Sequence, residues 1–294
     1  MTRPGFLVVT VVGCLLWLAT AAACGGGLDG VKAAATLLLA VVAHAAANVL
    51  NDYHDALNGA DDANQQGIFP FTGGARLIQA GRVTVQDTRR LAMALLLAWV
   101  PAGLLLALHS GSGLVGIGLA GLLLGWAYSA PPLKLMARGL GELAVSMAWA
   151  LVVVGADYVQ RGRFFVIPAV VAVGYALLVA NILVINGFPD ARSDAQVGKA
   201  TLVVRLGPVA AAWAYLGVAV LAHGWLVLCV CWLVTPAPAL WGLASLPLSL
   251  AAAALLLRNA RQPSRLRGAI VLTIAAAVVH GLAMAMGLWT VRWA

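Results

Sequence analysis

The sequence predicts an all-α polytopic membrane protein, about nine transmembrane helices bundled around a central cavity. Three observations lead there. The 294 residues are 63% hydrophobic and only 10% charged, with mean hydropathy +0.96. A water-soluble domain carries about a quarter charged residues, so this chain cannot cover itself with a hydrated surface. Apolar runs of about the 20 residues needed to cross a bilayer recur along the whole chain. The third observation is the scarcity of acids: only ten, in a chain of formal net charge +8. Soluble, disordered, collagen-like and disulfide-scaffold classes are excluded on these figures.

The spans follow in order, near 5–24, 31–50, 90–109, 111–128, 140–156, 164–186, 208–234, 237–257 and 268–289. Arg3 ahead of the first apolar run resembles the start of a secretion signal. A chain that continues into a second long apolar run is expected to keep that segment as its first span. Span 111–128 is the shortest and follows its predecessor after a very short gap. Its Gly111-x-Gly113-x-x-Gly116 and Gly116-x-Gly118-x-x-Gly121 patterns match a dinucleotide fingerprint. No strand precedes them, so close helix packing is the better reading. Gly, Ser and Pro within the other spans are tolerated in bilayer helices. Cys14, Cys24, Cys229 and Cys231 fit no metal or redox spacing and are expected to be small buried hydrophobes. His44, His109, His223 and His280 lie in apolar runs and read as structural, and the ten Trp, including Trp289 and Trp293, as partly interface anchors and partly core or tunnel lining.

With the N-terminus inside, 14 of the 18 cations fall on inner segments, leaving Lys32, Arg161, Arg163 and Arg292 outside. The positive-inside rule then gives an N-in, C-out protein, expected in a bacterial inner membrane. The basic balance reflects topology rather than nucleic-acid binding. The chain reads as one domain over 1–294, with polar inner loops at about 51–89 and 187–207.

Six of the ten acids occupy two stretches at the inner ends of spans: Asp52, Asp55, Asp61 and Asp62 after Asn48 and Asn51, and Asp190 and Asp194 after Asn186. Each contains Asn-x-x-x-Asp. Four-residue spacing places Asn51 with Asp55, and Asp190 with Asp194, on one helical face. Pro189 is a point at which a fresh helical segment is expected to begin. Side-by-side carboxylates repel unless a cation lies between them. Oxygen ligands without Cys or paired His favour a hard ion, and Mg²⁺ completed by substrate phosphates fits best. Nearby cations, Arg76, Lys134, Lys199 and Arg205, point to a polyanion shared with the metal, for which diphosphate is the natural candidate.

These residues resemble a known family. Asn51-Asp52-x-x-Asp55 together with Asn186-x-x-x-Asp190-x-x-x-Asp194, in a nine-span layout, is similar to the UbiA superfamily of intramembrane aromatic prenyltransferases. The branch that prenylates dihydroxynaphthoate in menaquinone synthesis is most similar. Its marks here are Asp61, Gly74-Ala-Arg76-Leu-Ile-Gln-Ala-Gly81, Tyr128-x-x-Pro-Pro-Leu-Lys134, Gly139-Leu-Gly-Glu142, Tyr158-Val-Gln160 and Gly198-Lys199-x-Thr201-Leu-Val-Val-Arg205-Leu-Gly207. The resemblance covers about 48–207. Gly59 stands where the wider family often has a third Asp, and Gly187-Phe188-Pro189 opens the second motif in place of a form with Arg.

The resemblance implies Mg²⁺-dependent transfer of an isoprenyl chain from a polyprenyl diphosphate to a small aromatic acceptor, dihydroxynaphthoate in the nearest branch. It implies that Asn51, Asp55, Asp190 and Asp194 bridge metal and diphosphate, supported by Asp52 and Asp61, with Asn186 on the substrate. Lys134, Arg76, Lys199 and Tyr128 are then the direct diphosphate contacts. Asp61, Asp62 and His54 are the candidate bases. Other acceptors of the same chemistry (4-hydroxybenzoate, homogentisate, chlorophyllide, haem, a sugar) are the alternatives, and a secondary transporter using intramembrane acids is the alternative of another class. Beyond substrates and lipid, the sequence points to no particular protein partner.

Overall fold

The computed structural model describes residues 1–25 and 27–291. Among these there are ten α-helices and no strand. The helices are α1 Pro4–Ala23, α2 Gly30–Asn58, α3 Ala60–Ala63, α4 Val85–Ser110, α5 Gly113–Ser129, α6 Gly141–Arg161, α7 Val166–Gln196, α8 Leu202–Cys231, α9 Leu246–Asn259 and α10 Arg267–Trp289. Eight spans are long and apolar enough to cross a bilayer, counting the 3-10 turn 237–245 with α9. The ninth expected span is α5, which has only 17 residues. Arg292 and Trp293 lie outside the described residues.

Helix ends follow local chemistry. Asp29 caps α2, accepting hydrogen bonds from the Val31 and Lys32 amides at 2.9 and 3.0 Å. Thr84 and Asp87 form a reciprocal capping box that starts α4. The expected span beginning at 208 is a real boundary inside α8: Gly207 has φ 74°, and the straight helix resumes at Pro208. Span 237–257 opens as a 3-10 turn and becomes α-helical at Leu246, next to Pro247, which has no amide to donate back to Leu243 in a continuous α-helix.

The expected loops at 51–89 and 187–207 start later than the sequence indicates. Helix α2 continues to Asn58 and α7 to Gln196, so both acidic motifs are helical. Pro189 lies inside α7 and does not restart it. The hydropathy drop marks where the chain leaves apolar surroundings, and each helix outlasts it, its polar turns lining one cavity where Lys199 pairs with Asp55 and Asp194.

Consecutive helices pack side by side, and α10 closes back on α1. α1 and α7 are the most enclosed, and α1 touches α2, α6, α7 and α10. Between helices surrounded by lipid, close packing rather than hydrophobic burial drives association. Tyr175 of α7 shows how. It is fully buried, its hydroxyl donates to the Val9 carbonyl, and its ring lies against Gly13 of α1 and Gly281 of α10. A Cβ at Gly13 would come within 3.3 Å of that ring. Leu97, Leu108, Leu123, Trp213 and Leu221 point outward on α4, α5 and α8, forming a surface that matches lipid.

The small-residue reading of α5 holds at one end. A Cβ at Gly113 would meet the Tyr158 ring at 2.6 Å, whereas nothing lies near Gly116 or Gly121. Of the four free cysteines, Cys14 and Cys229 are buried and Cys231 is exposed, against expectation. Three of the four apolar-run histidines are hydrogen-bonded: His44 with Thr10 at 2.8 Å, and His223 and His280 with Ser245 at 2.8 and 3.2 Å, while His109 is exposed.

Candidate active site

One end of the bundle holds a polar cavity of about 110 Å³. It forms where α2 and α7, both extended past their apolar spans, face one another. From α2 come Asn51 and Asp55. From α7 come Asn186, Asp190 and Asp194. Asp61, Asn64, Thr72 and Gly74 enter from α3 and the loop after it, Tyr128 from the end of α5, and Glu142 from the first turn of α6. Lys199 and Thr201 come from the 197–201 turn, and Arg3 from the segment before α1. The two stretches that share the Asn-x-x-x-Asp spacing therefore line a single site.

The carboxylates are held in detail. Asn51 Nδ2 donates to Asp55 Oδ2 at 3.0 Å, as four-residue spacing requires. Lys199 Nζ lies 2.9 Å from Asp55 Oδ1 and 3.2 Å from Asp194 Oδ1, joining the two helix ends. Burial alone would lower the Lys199 pKa, but the Asp55 and Asp194 carboxylates outweigh it and raise it. Asp190 accepts from Asn64 Nδ2 at 2.7 Å and from the Gly73 amide at 3.2 Å. Burial first, then the charges of Asp55 and Asp52, push the Asp61 carboxyl up to about 7.

The loop over the cavity depends on two glycines. Gly73 and Gly74 both have φ 75°, a region that costs an L side chain about 1 kcal/mol or more. A Cβ at Gly74 would also lie 2.8 Å from Asp61 Cγ. Arg76 secures this loop from behind. Its guanidinium donates to the Asp61 and Asn64 carbonyls, the second at 3.3 Å, and sits 5.3 Å above the Phe69 ring.

Several residues singled out in the sequence stand elsewhere. Arg76 does not line the cavity, since its donors are engaged by loop carbonyls. Lys134 is exposed, and it too is absent from the lining. Asp52 is buried behind the cavity, paired with Arg3. Asp62 is exposed, and His54 packs on Tyr53 rather than facing the cavity. Sequence reasoning missed Asn64 and Arg3. Arg3 had been counted only as an inner-side cation, and no spacing connects it to Asp52, 49 residues away.

A second cavity, about 170 Å³ and mostly apolar, adjoins the first. Phe6, Val9, Leu124, Val145, Trp149, Val179 and Ile182 line it. Both cavities share Arg3, Asn51, Tyr128, Leu183 and Asn186. A charged chamber thus adjoins an apolar one, with these five residues common to both linings.

Among the described residues, no three acidic, His or Cys side chains form a ready metal cluster. The cavity chemistry nevertheless fits a hard cation. Five carboxyls (Asp55, Asp61, Glu142, Asp190, Asp194) face two cations, Arg3 and Lys199. The side-chain oxygens Asn51 Oδ1 and Asn186 Oδ1, both buried at the cavity, have no hydrogen-bond partner. Excess negative charge and unsatisfied oxygen acceptors are what a divalent oxygen-liganded ion requires.

A profile of the UbiA prenyltransferase family matches residues 7–274. The chain belongs to the UbiA prenyltransferase family. It is a prenyltransferase, which removes the transporter alternative. It is 33% identical to a 1,4-dihydroxy-2-naphthoate octaprenyltransferase of Mycobacterium tuberculosis over 76% of this chain and 73% of that one. It is 30% identical to the Escherichia coli protein of the same name, over 92% and 87%. Solved UbiA homologues share the fold. One from Aeropyrum pernix K1 superposes with TM-score 0.69 at 15% identity, covering 95% and 97%. One from Archaeoglobus fulgidus bound to GPP and Mg²⁺ gives 0.59 at 14%, covering 99% of each chain.

Proposed function

We propose that this UbiA protein transfers an isoprenyl chain from a polyprenyl diphosphate to 1,4-dihydroxy-2-naphthoate, with Mg²⁺ as cofactor. The observation that carries it is the adjacency of the two cavities: an acid-rich chamber suited to a metal-bound diphosphate, sharing Tyr128 and Leu183 with an apolar chamber suited to the lipid tail. The names of the two bacterial relatives support the acceptor, and the GPP and Mg²⁺ in the Archaeoglobus homologue support the donor and the metal.

The chain's own residues then have definite work. Asn51, Asp55, Asp190, Asp194 and Asn186 would hold Mg²⁺, which neutralises the charge that develops on diphosphate as its carbon–oxygen bond breaks. Lys199 adds a buried cation beside the same oxygens. Asp61 would accept a proton from the acceptor. The bond electrons leave with diphosphate, the aromatic ring attacks the allylic cation, and the ring then sheds a proton or carbon dioxide. Leu124, Val179 and their neighbours keep water from the cation.

The cation asymmetry supports placing the site at the cytoplasmic face of a bacterial inner membrane, N-terminus inside. Purified protein given geranylgeranyl or farnesyl diphosphate, dihydroxynaphthoate and Mg²⁺ should form a prenylated product detectable by mass. Product only with a different aromatic would refute the acceptor, and no product with any would refute the reading.

A further inference from the structure

We propose that Arg3 binds the carboxylate of the aromatic acceptor and so selects carboxylated rings; the proposal rests on the acceptor being a carboxylated aromatic, as above. Arg3 is the sole cation among the residues lining both cavities, so it stands where the prenyl carbon and the acceptor must meet. Lys199, by contrast, lines only the acid-rich chamber.

The guanidinium is held but not used up. One terminal nitrogen, Nη2, donates to Asp52 Oδ1, while Nε is buried with no partner. An Arg presents five donors in a planar fork that matches a carboxylate, and here part of that fork is free. A side chain serving only as an interfacial anchor would extend into water. This one is turned inward against Asp52, which is 3% exposed.

The backbone is fixed to suit. Arg3 has φ 49° and ψ 64°, left-handed values uncommon for a non-glycine residue. Asn48 Nδ2 donates to the Thr2 carbonyl at 3.1 Å, and the Met1 sulfur accepts from Thr88 Oγ1 at 3.8 Å. The segment 1–3 is thus clipped to α2 and α4. Asp52 on α2 orients the guanidinium, which explains an acid that belongs to the motif yet does not line the cavity.

The test compares wild type, Arg3→Lys and Arg3→Gln in steady-state assays, varying acceptor and donor separately. The acceptors are 1,4-dihydroxy-2-naphthoate and the uncharged 1,4-dihydroxynaphthalene. Arg3→Gln should raise KM for the naphthoate by about tenfold or more, the loss of one charge-assisted hydrogen-bonded contact. Donor KM should stay within about twofold, the preference for naphthoate over the diol should shrink, and Arg3→Lys should fall between. Arg3→Gln also strands the buried Asp52 carboxylate. If that variant does not fold, Arg3→Gln/Asp52→Asn, which removes the unpaired charge, is measured against Asp52→Asn. An unchanged naphthoate KM overturns the proposal, as does a donor KM that rises in parallel, which would assign Arg3 to diphosphate. A wild type that turns over no carboxylated aromatic overturns the functional reading with it. An active wild type with an unaffected variant overturns Arg3 alone.

Discussion

Lys199 Nζ lies 2.9 Å from Asp55 Oδ1, an ion pair closed across 144 residues of sequence. The same ammonium reaches Asp194, so the C-terminal ends of α2 and α7 are tied by one positive charge. Removing one partner from a buried pair costs about 3–5 kcal/mol, because the other charge is left uncompensated. Lys199→Met should therefore lower the metal-free melting temperature in detergent by several degrees, with Mg²⁺ restoring more of it than in wild type. Equal Mg²⁺ shifts in the two proteins would show that the ammonium and the metal do not share these carboxylates.

Asp55→Ala and Asp190→Ala should each reduce turnover by about a hundredfold or more, the scale seen when an electrostatic stabiliser is lost. Chelation of divalent metal should abolish product formation, and added Mg²⁺ should restore it. Near-normal turnover in either variant would refute the site assignment.

Asp61 gives the apoprotein a pH dependence. Its carboxyl is pushed up to about 7 by burial and then by Asp55 and Asp52, while an unfolded Asp titrates near 4. Between those values the folded chain holds the extra proton, so this contribution is complete below about 4 and is lost as pH rises through about 7. Metal-free wild type should melt at a lower temperature at about pH 8 than at about pH 5, and Asp61→Asn should flatten that difference. An identical slope in both proteins would remove Asp61 as its source.

Gly74→Ala should disable the loop without disturbing the bundle. The added Cβ meets both an unfavourable φ of 75° and the Asp61 carboxylate. Turnover should fall by about tenfold or more, matching a cost of ~1–2 kcal/mol, with helical circular dichroism unchanged. Retained turnover would show that the Gly74–Asp61 approach does not shape the cavity.

Much of this was determined by the sequence. Span length and hydropathy located the eight membrane-length spans and the shorter α5, because a bilayer imposes one length scale on every apolar run. Four-residue spacing aligned Asn51 with Asp55, as helix geometry demands, and the Asn/Asp motifs with their flanking residues carried the family. Tertiary structure decided the rest. No local rule says that Lys199 joins Asp55 to Asp194, that Asn64 holds Asp190, or that Arg76 serves loop carbonyls while Arg3 enters the cavity. Each of those side chains has several donors and a long reach, so its partner is fixed only when distant helices bring one unsatisfied carboxylate or carbonyl within a hydrogen bond's length.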